Sequence, residues 1–62
     1  MVVVKLTTLA AQNEACNLLF AAGYTYQLRN TVVEYYIYVN TSRVSIIESI
    51  LKSLKDSIED LY

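Results

Sequence analysis

The chain has 62 residues, 55% of them hydrophobic, and five basic against six acidic side chains give a net charge of −1. A chain this short forms one domain and buries only about 60% of its unfolded surface. Its mean hydropathy of +0.32 therefore predicts that some apolar surface is hidden against a second copy or another partner.

The five basic residues, Lys5, Arg29, Arg43, Lys52 and Lys55, are scattered along the chain and leave no electrostatic footprint for nucleic acid. One cysteine and no histidine exclude a disulfide framework and a Cys/His zinc site within a single chain, and indicate a reducing, cytoplasmic setting. Cys16, in a run of alanine and leucine, reads as a small buried hydrophobe, with a reactive or intermolecular thiol as the other possibility. "MVVVKL" lacks the apolar run and cleavage site of a signal peptide, and no segment approaches the roughly 20 apolar residues of a membrane span.

In chain order, "VVVKLT" (Val2 to Thr7) reads as a first strand. Thr8 can cap a helix from Leu9 to about Ala22, with Gly23 as its C-terminal stop. At 100° per residue Leu9, Ala11, Ala15, Cys16, Leu18, Leu19, Phe20 and Ala22 form an arc of about 200°, interrupted only by Gln12. Asn13, Glu14 and Asn17 mark the wet side.

"YTYQLR" and "TVVEYYIYV" follow as a hairpin. If Asn30 and Thr31 form the turn, Leu28 faces Val33, Tyr26 faces Tyr35 and Tyr24 faces Ile37. The other face then pairs Arg29 with Val32, Gln27 with Glu34 and Thr25 with Tyr36. One face is apolar and aromatic, the other mostly polar, as a half-buried antiparallel pair requires. Asn-Thr lacks the glycine that two-residue turns favour, so a longer loop can shift the register but not the parity within each strand.

Thr41 or Ser42 can cap a final helix of about 20 residues reaching Leu61. Val44, Ile47, Leu51, Leu54, Ile58 and Leu61 fall at heptad spacing, and Glu48–Lys52, Lys52–Asp56 and Lys55–Glu59 form favourable four-residue pairs. The order β-α-β-β-α predicts an α+β fold with a three-stranded, mainly antiparallel sheet and both helices on one face, a split β-α-β plan lacking its last strand. The first strand would keep an open edge, and the last turns of the helix would overhang the sheet at about 1.5 Å per residue. Both features, with the hydrophobic excess, predict a homodimer in which Ile47, Leu51, Leu54, Ile58 and Leu61 supply core and dimer contacts.

No chemistry is legible. A single glycine forbids a phosphate loop, and without histidine no Ser/His or Cys/His pair can be built. The expectation is a non-enzyme without cofactor or metal. What remains is the outer sheet face: Tyr36 and Tyr38, with Val32, Glu34, Arg29 and Lys5, joined by Val3, Thr25 and Gln27. Tyrosines ringed by polar groups have the composition of a protein interface. Aromatics on a sheet also suit RNA stacking, but here few basic residues accompany them.

"NEACNLLFAAGYTYQL" followed by "YYIYV" is similar in rhythm to small prokaryotic regulatory modules of the ferredoxin-like or ACT-like kind, in which a helix ending "LL..AG" leads into an aromatic-rich strand. The similarity covers Ala15 to Val39 and carries no functional residues across. Proline-free, tyrosine- and isoleucine-rich chains of this size also resemble small products of phages, archaeal viruses and plasmids. Many of those occlude a host protein, CRISPR effectors included, so the resemblance implies an anti-CRISPR-like inhibitor working in the host cell cytoplasm. Two other readings stand beside it: a nucleic-acid-binding regulator, and a small-ligand sensor with its site at a dimer seam.

Overall fold

Val2, Val4 and Leu6 alternate with Val3 and Lys5 along the first strand, β1 (Val2–Leu6). In the computed structural model, which describes Met1–Tyr62, all three alternate residues are essentially inaccessible. The chain continues as α1 (Leu9–Ala21), β2 (Tyr26–Asn30), β3 (Tyr35–Val39), α2 (Val44–Ile50), a 3₁₀-helix (Lys52–Ser57) and β4 (Ile58–Leu61). The four strands form one antiparallel sheet in the order β2-β3-β1-β4. This is an α+β protein with one strand more than the pattern predicts. It is a complete β-α-β-β-α-β arrangement rather than one lacking its last strand.

Helix α1 starts and stops where its punctuation says. The Thr8 hydroxyl accepts a hydrogen bond from the Ala11 N–H at 3.1 Å, and Gly23 closes the end with φ +86, a left-handed conformation that glycine adopts without steric cost. Its buried face is Ala11, Gln12, Ala15, Cys16 and Leu19, narrower than the 200° arc. Leu9 and Phe20 are exposed. Gln12, the apparent interruption, is fully buried because its amide has partners. Its Nε2 donates to Asn30 Oδ1 (2.6 Å) and the Tyr36 carbonyl (3.1 Å), and Asn30 Nδ2 donates back to Gln12 Oε1 (3.3 Å). A buried amide so satisfied ties α1 to both hairpin strands.

The hairpin register differs from the expected one by four positions. Tyr26 pairs with Val39, Leu28 with Ile37 and Arg29 with Tyr36, and Thr31–Glu34 make the connection. A tight Asn-Thr turn would demand positive φ, and no residue but glycine adopts it here. Instead the Thr31 hydroxyl accepts from the Glu34 N–H at 3.1 Å while the Thr31 N–H donates to the Glu34 carbonyl at 2.9 Å. Val33, expected in the core, lies exposed at the tip beside Val32. Parity is retained, so Ile37 and Val39 point into the core.

The largest correction concerns the C-terminal third. No 20-residue helix forms. Arg43, not Thr41 or Ser42, occupies the cap position of α2, although the Thr41 hydroxyl accepts from the Arg43 N–H at 3.3 Å. The α-helix ends at Ile50, and the 3₁₀-helix that follows brings residues three apart into line, seating Leu51 and Leu54 together in the core. Ile58 and Leu61 then lie on β4, opposite Leu6 and Val4. The three helical charge pairs are absent; the ion pairs that form instead both involve Lys5.

The reason is energetic. Each such helical pair contributes only about 0.2–0.5 kcal/mol, whereas strand β4 satisfies the open edge of β1. Val3 and Tyr62 exchange both backbone hydrogen bonds, at 2.7 and 3.0 Å. A bulge at Lys5/Leu6 places two residues, Glu59 and Asp60, between the inward Ile58 and Leu61. A bulged strand therefore reproduces the three-residue spacing of a helix.

Two of the reasons for expecting a dimer accordingly disappear, since β1 has no open edge and no helix overhangs. Ile47, Leu51 and Leu54 are buried within the single chain, and Ile58 and Leu61 pack against the same core. None of them offers much surface to a second copy.

Gln12→Ala is expected to destabilise the fold by about 1–3 kcal/mol, the range for a lost buried polar partner. Chemical denaturation of the two proteins checks this, and an unchanged midpoint would show that the Gln12–Asn30 pair is dispensable.

Candidate protein-binding face

Helices α1 and α2 and the 3₁₀-helix all pack against the inner face of the sheet, in one core with Val2, Val4, Leu6, Ile37 and Val39. Nothing covers the other face. Successive side chains of a strand point to opposite sides, so the outer face is read directly from the register. One row runs Gln27–Tyr38–Val3–Tyr62, and the next runs Arg29–Tyr36–Lys5–Asp60. Tyr36 and Tyr38 sit on β3, an inner strand paired on both edges, and are half-buried. Their ring centroids are 6.4 Å apart with the planes tilted 60°, a separation and tilt typical of favourable aromatic pairs.

An ion-pair network holds this centre. Lys5 Nζ lies 3.0 Å from Glu34 Oε2 and 3.5 Å from Glu59 Oε2. The Tyr36 hydroxyl donates to the same Glu34 oxygen at 3.1 Å. Lys5 Nζ is 6.0 Å from the Tyr36 ring centroid, and the Arg29 guanidinium carbon is 5.9 Å from that of Tyr38, within the range of a cation–π attraction. Each tyrosine therefore has one cation beside its ring.

Titration behaviour follows from these contacts. The Glu34 carboxylate, hydrogen-bonded to Lys5 and then to Tyr36, is held below the usual carboxylate range. Its partnership raises Lys5 above the ordinary lysine value despite some desolvation. Donation to Glu34 likewise pushes the Tyr36 phenol up. Lys5 is thus a fixed cation, unsuited to act as a base or nucleophile. On the inner side, burial pushes the Cys16 thiol up, with the Tyr26 hydroxyl beside it. A thiol raised in this way is a weak nucleophile.

Of the residues singled out in the sequence, the fold assembles Lys5, Arg29, Glu34, Tyr36 and Tyr38 on one face. Val32 is not among them. Arg29 pairs with Tyr36 rather than with Val32, and Val32 projects from the hairpin tip, 95% exposed. Glu59, Asp60 and Tyr62 join the face as well, the first two from a segment expected to be helical and Tyr62 from just beyond its expected end. Their one signal was that Ile58 and Leu61 enclose two acidic residues, which fits a bulged strand as well as a helix.

A hollow of about 660 Å³ lies between α2 with the 3₁₀-helix and β4. It is open, and Lys52 and Lys55 there share the rim with Glu48, Glu59 and Asp60, so no single sign of charge defines a ligand. No group of three or more metal-ligating side chains is assembled anywhere, and no helix is long and apolar enough to cross a membrane. No protein-family model, curated protein or solved structure matches the chain, so its functional reading rests on this geometry.

The direction of each shift sets a pH dependence. Glu34, lowered in the folded state, contributes stability above its ordinary pKa that is lost as pH falls through the lowered value. Lys5, raised, contributes stability below its ordinary pKa that is lost as pH rises through the raised value. Glu34→Gln should therefore lower the urea midpoint at neutral pH, and the gap from the parent should narrow at an acidic pH where Glu34 becomes protonated in the folded state. A gap of the same size at both pH values would remove the ion-pair network as its cause.

Proposed function

We propose that the chain is a small non-enzymatic protein-binding module whose contact surface is the outer sheet face centred on Tyr36 and Tyr38. Acting as a homodimer, it occludes a partner protein, as inhibitors encoded by viruses and mobile elements do, anti-CRISPR proteins among them. One observation carries this reading. Two tyrosines lie uncovered on an inner strand, held by Lys5, Glu34 and Arg29. Aromatic anchors with a polar rim are the residues that dominate binding energy at protein interfaces.

Such anchors lose little freedom on binding, because their orientation is already set. The rim offers both signs of charge: Arg29 and Lys5 against Glu34, Glu59 and Asp60. A mixed rim suits the polar edge of another protein. It opposes the phosphate backbone of a nucleic acid, because both carboxylates that contact Lys5 would have to be desolvated or displaced. A partner-facing role also gives a use to apolar surface that a single copy leaves in water.

The double substitution Tyr36→Ala with Tyr38→Ala should leave a folded protein that binds its partner at least about 30-fold more weakly, since one such anchor contributes about 2 kcal/mol or more. Capture from cell lysate with parent and variant side by side, read by mass spectrometry, tests this against the variant's circular dichroism. A partner held equally by both places the contact elsewhere. A salt titration with single- and double-stranded oligonucleotides completes the test, because tight binding at about 50 mM salt that weakens steeply as salt rises would replace the protein partner with a nucleic acid.

A further inference from the structure

The sheet ends in two edges of opposite character. The β4 edge is closed to further pairing. It is four residues long, carries two acidic side chains in succession, and is bulged where it meets β1. Leu61 lies between the Val3–Tyr62 and Lys5–Asp60 pairs, so its N–H turns outward. Asp60 takes that N–H with its own carboxylate, at 3.0 Å. Short length, acidic residues and a bulge are the devices by which proteins blunt an edge.

The β2 edge has none of these. Tyr26–Asn30 pairs with β3 in unbroken register and contains no proline, acidic residue or lysine. Hydrogen bonds from Asn40 N–H to the Thr25 carbonyl and from Thr31 N–H to the Glu34 carbonyl establish the phase of the ladder. By the antiparallel alternation, Gln27 and Arg29 bond inward to β3 while Tyr26, Leu28 and Asn30 turn their N–H and C=O groups to the free edge. Leu28, at the centre of the strand, is 47% exposed on the helix side, because α1 packs over β3 and β1. Phe20, 74% exposed, opens onto the same hollow as Tyr26.

We infer that β2 pairs antiparallel with β2 of a second copy, with Leu28 on the twofold axis, to make one continuous eight-stranded sheet. The strand's own pattern selects a second copy and this register. With Leu28 opposite Leu28, Tyr26 falls opposite Asn30, and every outward group of the three residues meets its complement. Arg29 then stands across from Gln27. Sliding by two residues one way would set Arg29 against Arg29, a like-charge pair that destabilises a sheet. Sliding the other way would leave Asn30 unpaired. The twofold axis is perpendicular to the sheet, so both helical layers lie on one side and both tyrosine faces on the other. Tyr36 of one copy would then stand in line with Tyr38 of the other, three strand spacings or about 14 Å away. The inference thus deepens the proposed function by giving its homodimer a geometry and its contact face twice the width. It rests on that reading only for the use of the doubled face.

Sedimentation of the parent protein should give twice 7.1 kDa at high micromolar concentration. Leu28→Pro, which removes an outward N–H without touching the β2–β3 ladder, should sediment at 7.1 kDa with an unchanged circular dichroism spectrum. Hydrogen exchange on the unaltered protein avoids any question of misfolding: the Tyr26, Leu28 and Asn30 amides should exchange about tenfold faster on dilution through the dimer's dissociation range, while those of β1 do not. A parent at 7.1 kDa throughout, or concentration-independent exchange at these three amides, overturns the pairing. A dimer that survives Leu28→Pro but not Tyr36→Ala with Tyr38→Ala also overturns it, and shows that the outer face serves self-association. Loss of partner capture alone, with the dimer intact, leaves the pairing standing and bears only on the contact face.

Discussion

Strand β1 must be satisfied on both edges, and most of the architecture follows from that requirement. Its inward side chains, Val2, Val4 and Leu6, form the middle of the core, which requires β1 to lie inside the sheet rather than at its margin. Strand β3 satisfies one edge of β1. The other could be met only by residues near the C-terminus, so the chain abandons its helix after Ile50 and returns as β4. A buried backbone group left unpaired is worth more than the few tenths of a kcal/mol that surface charge pairs add to a helix. The 3₁₀-helix is the adapter, keeping Leu51 and Leu54 in the core while turning the chain toward β1.

The same constraint shapes the outer face. Returning β4 beside β1 brings Glu59 within 3.5 Å of Lys5, adding to the Lys5–Glu34 bridge that steadies Tyr36. Strand β3, which carries the tyrosines, is flanked by β2 and β1, and β4 extends the surface beyond β1. Tyr36 and Tyr38 thus lie on an inner strand of a four-stranded surface whose opposite face packs against the helices over β3 and β1, with Leu28 on β2 left half-exposed. The helices take one side of the sheet, the charges and tyrosines take the other, and the boundary between them is the period-two alternation of each strand.

The two edges complete the division of labour. Acidic residues and a bulge finish β4, while β2 presents an orderly row of unpaired groups beside exposed Leu28 and Phe20. In a chain that is 55% hydrophobic, Leu28 and Phe20 are two of the large apolar side chains left exposed, and both lie at the β2 margin. The doubled sheet proposed from that margin uses only groups the single chain leaves unused.

By itself the sequence determined what is local. Thr8 and Gly23 delimit α1, the alternation from Tyr35 to Val39 assigns each residue to a face, and that parity survived a register shift of four because side chains alternate whatever their partner. Lys5, Arg29, Glu34, Tyr36 and Tyr38 stand together on the expected face for the same reason, whereas Val32 falls in the hairpin connection. Only the tertiary structure decided what depended on distant neighbours. Gln12 could be read as buried only once Asn30 and the Tyr36 carbonyl stood beside it. The segment from Ile58 to Leu61 satisfied helix and bulged strand alike, since both place inward residues three apart. The choice was made by β1, more than fifty residues earlier in the chain, whose open edge offered backbone partners that a helix could not supply.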